Sequence, residues 1–225
     1  MTLVYKGKTK DVYKLDDGNF LLKFKDDMTG ADGIFDPGAN TVGLTVKGAG
    51  VSGLKLSAYF FEKLKLHNIP THYVSADIDS AQMIVRPAEV FGKGGLEVIC
   101  RLRAVGSFYK RYGNYAQEGA QLDYFVEVTI KDDERGDPPI SKDALDMLGI
   151  LSETEYEALK SLTKKITRVV SDELMNKGLV LYDIKFEFGK TDGEIVLIDE
   201  ISGGNMRVFK DGVVVAPLEL TELVL

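Results

Sequence analysis

Asp183-Ile184-Lys185-Phe186-Glu187-Phe188-Gly189-Lys190-Thr191-Asp192-Gly193-Glu194-Ile195-Val196-Leu197-Ile198-Asp199-Glu200 is the stretch from which the fold reads most directly. From Asp183 to Glu187 charged residues alternate with apolar ones, which places all three charges on one face of a strand. The segments Leu179–Phe188 and Glu194–Ile201, joined by the tight turn Lys190–Gly193, therefore form a β-hairpin. Its second strand is almost wholly apolar until Asp199-Glu200 closes it. With the turn at Lys190–Gly193, Glu187 and Asp199 come opposite or nearly so. Two carboxylates held together on adjoining strands suit Mg²⁺, which favours one or two carboxylates plus phosphate oxygens. Lys185 would offset their mutual repulsion. The competing reading is a solvent-facing charge ladder on an edge hairpin, against which the apolar residues around these charges argue.

Working outward, strands come in hairpin-like groups. Val4–Tyr5, Val12–Leu15 and Phe20–Phe24 are short β-prone runs, and Asp16–Asn19 turns the chain between the last two. Asp26 to Asn40 reads as a polar loop broken by Gly30, Gly33, Pro37 and Gly38. A helix spans about Ser52 to His67, with Leu54, Ala58, Phe61 and Leu64 at helical spacing and Pro70 as the stop. Thr71–Val74, Met83–Arg86, Leu96–Val105 and Tyr124–Lys131 read as further strands. A second long helix opens at Ser152, where Ser-Glu-Thr-Glu offers a capping box, and stops at Gly178. With only two long helices and no βαβα alternation, the fold class is α+β. A boundary between lobes falls near Arg86–Gly95, giving domains at residues 1–90 and 91–225.

The 225 residues include 28 basic and 35 acidic side chains, a formal net charge of −7. That balance argues against nucleic acid as a partner, since clustered positive charge is its usual footprint. No apolar run is long enough to cross a membrane and no charged-then-apolar leader opens the chain. The lone Cys100 has no internal disulfide partner, which fits a reducing compartment. These features point to a cytoplasmic protein and leave room for a homo-oligomer.

Three further blocks carry chemistry. In Tyr5-Lys6-Gly7-Lys8-Thr9-Lys10 a turn glycine lets the backbone approach a polyphosphate and the lysines supply charge. The same pattern also describes an ordinary solvated turn. Arg101-Leu-Arg103-Ala-Val-Gly106-Ser107-Phe-Tyr-Lys110-Arg111 offers a hydroxyl and guanidinium forks to an anion, or else forms a basic strand end on the surface. Lys131-Asp-Asp133-Glu-Arg-Gly136-Asp137-Pro138-Pro139 is an acidic loop after a strand. A fourth match, Gly48-Ala-Gly50-Val-Ser-Gly53, fits the dinucleotide fingerprint GxGxxG, with Asp77 roughly where a ribose-binding acid would stand. The segment before it carries Gly43, Thr45 and Lys47, unlike a buried parallel strand, so a Rossmann-type NAD(P) oxidoreductase is the lesser reading.

Taken in order, these blocks resemble the SAICAR synthetase family. GKxKxxY is met by Gly7, Lys8, Lys10 and Tyr13, and FKDDxT by Phe24–Thr29. His67–His72 matches an HGIPTH-like turn. RxxAxGSxxKRxG is met by Arg101, Ala104, Gly106, Ser107, Lys110, Arg111 and Gly113. KDDxxxDP is met by Lys131 to Asp133 with Asp137-Pro138, and DxKxEFG with DEIS by Asp183 to Gly189 and Asp199 to Ser202. The resemblance implies a two-lobed α+β fold: residues 1–90 as a small β-rich ATP-covering lobe, 91–225 as a larger lobe with the metal and substrate site. It implies that Lys8 and Lys10 contact ATP phosphates, that Arg86 and the connection to Gly95 hold the adenine, and that Glu187 and Asp199 bind Mg²⁺. Arg101, Ser107, Lys185 and Arg207 would hold a phosphorylated imidazole carboxylate or aspartate, with Asp137 and Asp183 in the same cavity. Lys185, Asp183 and Arg207 are the implied catalytic residues. The implied reaction joins phosphoribosyl aminoimidazole carboxylate (CAIR) to L-aspartate through an acyl phosphate, giving SAICAR, ADP and phosphate.

The departures from the family pattern are grouped. Gly204 stands where SPDxxR has an acidic residue, and Val51-Ser52 replaces two asparagines. Leu102 and Val105 replace an asparagine and an alanine. The loop Ile34–Asn40 and the connection Gly92–Gly95 are atypical, and Val213–Leu225 is nearly apolar and carries no basic residue. Because these changes fall where the imidazole and acceptor would bind, a ligase of the same fold with another carboxylate or amine is the alternative.

Overall fold

The computed structural model describes residues 1–31, 33–36 and 41–225, which divide into two compact units. The first comprises Met1–Ala88, Glu200–Asn205 and Val215–Leu225; the second comprises Glu89–Asp199 and Met206–Val214. The two C-terminal segments thus group with the first unit, although the sequence reading places everything after residue 90 in the second. Among the described residues every paired strand is antiparallel, and helices are few, so the α+β class holds.

In the first unit, β1 (Thr2–Lys6), β2 (Lys10–Lys14) and β3 (Phe20–Phe24) run as a meander. The expected polar loop after β3 instead holds β4 (Asp27–Ala31) and β5 (Ile34–Phe35). Pairing of β4 with β6 (Val42–Thr45) supplies backbone partners that local polarity could not foretell. Pro37, Gly38 and Asn40 of that reading lie outside the described residues. Helix α1 (Ala49–Leu66) follows, then β7 (Tyr73–Asp77) and β8 (Gln82–Val85), which complete a five-stranded sheet ordered β1-β2-β3-β8-β7. Leu54, Leu56, Phe60, Phe61 and Leu64 form the fully buried face of α1.

The second unit is built on one long strand. β9 (Glu89–Val90) and β10 (Leu96–Arg103) precede α2 (Gly106–Tyr112) and β11 (Gln121–Ile130). Then come a 3₁₀ turn (Asp133–Arg135), α3 (Lys142–Met147), α4 (Glu153–Met175), β12 (Val180–Thr191), β13 (Glu194–Ile198), β14 (Met206–Lys210) and β15 (Val213–Val214). β12 is central: it pairs with β10 and β9 along one side, and with β14 and then β13 along the other. The hairpin turn is Asp192-Gly193, both at positive φ (52° and 82°), as the favoured two-residue hairpin turn requires.

Register separates the two faces of this sheet. Val98 sits between Phe186 and Val128, and Cys100 between Ile184 and Val126, which makes one face apolar. Helix α4 covers it with Leu159, Ile166, Val170 and Leu174. The expected capping box is present at Ser152 and Glu155. The other face carries Glu97, Arg101, Glu127, Asp183, Lys185, Glu187 and Arg207, because each of these alternates with the apolar set. Finally α5 (Pro217–Val224), in the segment grouped with the first unit, packs on α1 and buries Leu220 and Val224.

Candidate active site

Two clusters stand on the charged face of the second unit, at opposite ends of the run Asp183–Glu187. At the Asp183 end, Arg101 is 3% exposed and fully engaged. Its Nη1 donates to Asp183 Oδ2 (2.7 Å) and its Nη2 to Ser107 Oγ (2.8 Å), while Nε donates to Glu127 Oε1 (2.9 Å). Arg207, opposite Asp183 in register, donates from Nη1 to the same Asp183 Oδ2 at 2.8 Å. Burial raises the Asp183 pKa, with the guanidiniums of Arg207 and Arg101 pulling the other way. A carboxylate so deeply buried is tolerable because both cations hydrogen-bond it. Gly106 has φ +57°, and a Cβ there would lie 2.8 Å from Arg207 Nη1. Glycine therefore lets the guanidinium lie against the turn that presents Ser107.

At the other end, Glu187 faces Ile198 across the hairpin, and Asp199 follows at φ +64°, turned out of the strand. Burial raises the Glu187 pKa, and the charge of Asp199 raises it further. Lys131 Nζ donates to Glu187 Oε1 at 2.6 Å. Burial works against the Lys131 ammonium, but Glu187 and Asp199 outweigh it and its pKa rises. Two neighbouring carboxylates are the donor set of a hard cation that keeps water and phosphate ligands, so the residues fit Mg²⁺, with Lys131 as the countercharge beside them. Among the described residues no group of three or more His, Cys, Asp or Glu side chains makes an all-protein metal cage.

Lys185 lies between the clusters, its Nζ donating to Glu97 Oε1 at 2.7 Å. Asp137 reaches the same neighbourhood. Its backbone is at φ +47°, its Oδ1 accepts from Asp132 N (2.7 Å), and burial followed by the Glu97 charge raises its pKa despite Lys185. The second unit thus assembles Arg101, Ser107, Asp183, Lys185, Arg207, Glu187 and Asp199 on one face, with Asp137 beside them. Sequence reasoning missed Glu97, Glu127 and Lys131 as members. The signal was there: Glu97 and Arg101 alternate with Val98 and Cys100 just as Asp183 and Glu187 alternate with apolar residues.

In the first unit Lys8 is exposed, whereas Lys10 is buried and its Nζ donates to Glu200 Oε1 at 2.5 Å. Arg86 is exposed, and its Nη2 donates to Thr71 O at 2.7 Å. The GxGxxG match is incidental. It does run from β6 into α1, but β6 pairs antiparallel with β4 and no βαβ unit exists there. The helix N-terminus, where a dinucleotide pyrophosphate would sit, instead meets Asp26, whose carboxylate accepts from Gly48 N and Gly50 N at 3.0 Å each. Gly50 is small because a Cβ would lie 2.8 Å from Lys25 O.

Comparison with known proteins places the chain among enzymes. Residues 3–214 match the family model described as SAICAR synthetase. The phosphoribosylaminoimidazole-succinocarboxamide synthase of Clostridium tetani is 64% identical over 227 residues, covering all of both chains. That of Coprothermobacter proteolyticus is 37% identical over 210 residues, 92% of this chain and 84% of its own. A solved SAICAR synthetase in complex with ADP superposes with a TM-score of 0.81 at 34% identity, over 92% of this chain and 83% of that one.

Proposed function

The chain belongs to the SAICAR synthetase family, and from that premise we propose that it joins CAIR to L-aspartate at the expense of ATP. It is an ATP-dependent carbon–nitrogen ligase of purine biosynthesis, releasing SAICAR, ADP and phosphate. The observation that carries the reading is the division of one sheet face into a guanidinium end and a carboxylate end with Lys185 between them. Asp183 and Glu187 are four residues apart on β12, so the two ends are separated by roughly 13 Å of strand. That leaves room for a ribosyl imidazole whose phosphate meets Arg207 and Ser107 and whose carboxylate meets Lys185.

The chemistry then divides among these residues. A carboxylate oxygen of CAIR attacks the γ-phosphorus of ATP and the bond to ADP breaks, leaving an acyl phosphate. The aspartate amine attacks the acyl carbon, phosphate departs, and the amine loses a proton. Mg²⁺, when bound at Glu187 and Asp199, supplies charge neutralisation on the phosphates. Lys131 and Lys185 add positive charge beside the transferring group, a term that matters because little covalent chemistry is left to the protein. Asp137, with its raised pKa, suits the proton leaving the amine. Lys8, Lys10 and Arg86 are proposed nucleotide contacts of the first unit.

No helix among the described residues is long and apolar enough to cross a membrane. Cys100 is buried and burial pushes its thiol up to about 11, which fits an unreactive thiol in the reducing cytoplasm. We take the partners to be small molecules, with a homo-oligomer open to test by sedimentation. Oxygen tracing tests the route: with ¹⁸O in the CAIR carboxylate, one labelled oxygen should appear in the released phosphate. Unlabelled phosphate would exclude the acyl phosphate.

A further inference from the structure

Glu127 uses both carboxylate oxygens on arginines. Oε1 accepts from Arg101 Nε and Nη2, and Oε2 accepts from Arg111 Nη2. The side chain is 10% exposed and sits on β11 beside Ile99, in the charged face. Arg111 lies on α2, five residues after Gly106, and is the more exposed partner at 30%. One carboxylate therefore ties the β10 strand to the helix that carries Ser107, and the remaining Arg101 donors close the loop through Ser107 and Asp183.

We propose that Glu127 is a positioning residue: it orients Arg101 and Arg111 about Ser107 and so shapes the pocket for the imidazole nucleotide's phosphate. The proposal rests on the reading of this cluster as the phosphate end of the site. Charge alone points the opposite way. Arg101, Arg111 and Arg207 face Glu127 and Asp183, which leaves a single net positive charge. Removing Glu127 would double it, and a dianion would be drawn in more strongly if field strength were all that mattered. Orientation says otherwise: without Glu127 the more exposed Arg111 loses its anchor, and Arg101 keeps only Asp183, Ser107 and Val105 O, so Arg111 and Ser107 are no longer held in fixed places for phosphate oxygens.

The experiment compares steady-state kinetics and calorimetric CAIR binding for the wild type, Glu127→Gln and Glu127→Asp. Glu127→Gln should raise KM for CAIR by about tenfold or more, with KM for ATP within about twofold. Glu127→Asp, which restores the charge, should recover part of that loss. An unchanged or lowered KM for CAIR in Glu127→Gln overturns the proposal. Should Glu127→Gln not fold, Arg111→Lys keeps the charge but loses the guanidinium fork that Glu127 holds. A raised KM for CAIR there supports the positioning role, and an unchanged one overturns it. A wild type that turns over ATP yet neither binds nor consumes CAIR would instead sink the parent reading, which the variants alone would not.

Discussion

Glu187 illustrates how a site residue works against the fold that holds it. Its pKa is raised by burial and by Asp199, so the folded protein holds a proton there more tightly than the unfolded chain does. Between the unfolded and folded pKa values the native state binds more protons, so stability falls as pH rises through that window. Glu187→Gln should therefore abolish Mg²⁺-dependent turnover while raising the melting temperature of the metal-free protein at neutral pH. A relief of ~1 kcal/mol would appear as a rise of about 2–4 °C. Differential scanning calorimetry with a chelator checks it, and a lowered melting temperature would mean the ionised carboxylate stabilises the fold. Arg207 is a separate case, since it sits at the guanidinium end. Arg207→Ala should raise KM for CAIR by about tenfold or more with little change for ATP, because only one ligand's anchor is removed. Equal increases in both constants, read from initial rates, would show that the residue holds the whole face together.

The elements that sequence revealed best are those with strong local rules. The capping box fixed the start of α4, the Asp192-Gly193 turn fixed the β12–β13 hairpin, and period-two alternation fixed the charged face. What escaped was set by tertiary pairing. β4 became a strand through its pairing with β6 and β5, and α5 forms in a tail that looked merely apolar. The departures at Ser52 and near Gly204 acquire a physical role there. Ser52 Oγ donates to Thr221 Oγ1 at 2.8 Å, joining α1 to α5. A Cβ on Gly203 would stand 2.6 Å from Pro217 Cα and 2.8 Å from its carbonyl oxygen. Small residues at both places thus accommodate the docked α5. Gly203→Ala should destabilise by about 1–3 kcal/mol, the usual penalty of overpacking against backbone. Urea denaturation measures it, and an unchanged midpoint would show that α5 is free to shift. Leu102 in place of asparagine has no structural explanation here.

For the chain as a whole, the sequence carried the fold class and most of one sheet face, but not the paired residues that orient it. Arg101 was legible as a cation next to Gly106-Ser107, yet its saturation by Glu127, Asp183 and Ser107 depends on β10, β11 and β12 lying side by side. A glycine-rich fingerprint was equally legible but does not open a βαβ dinucleotide unit, because its strand pairs antiparallel. Calorimetry with NAD(H) should accordingly show no tight binding, and tight binding by the wild type would overturn that judgement. The central claim is the identity of the two joined substrates. The measurement that meets it most directly is mass-spectrometric product analysis after incubating the purified protein with ATP, Mg²⁺, CAIR and L-aspartate. SAICAR should form in step with ADP and phosphate, and not when any one component is omitted. ATP turnover with other carboxylate–amine pairs, but never with CAIR and aspartate, would contradict the account.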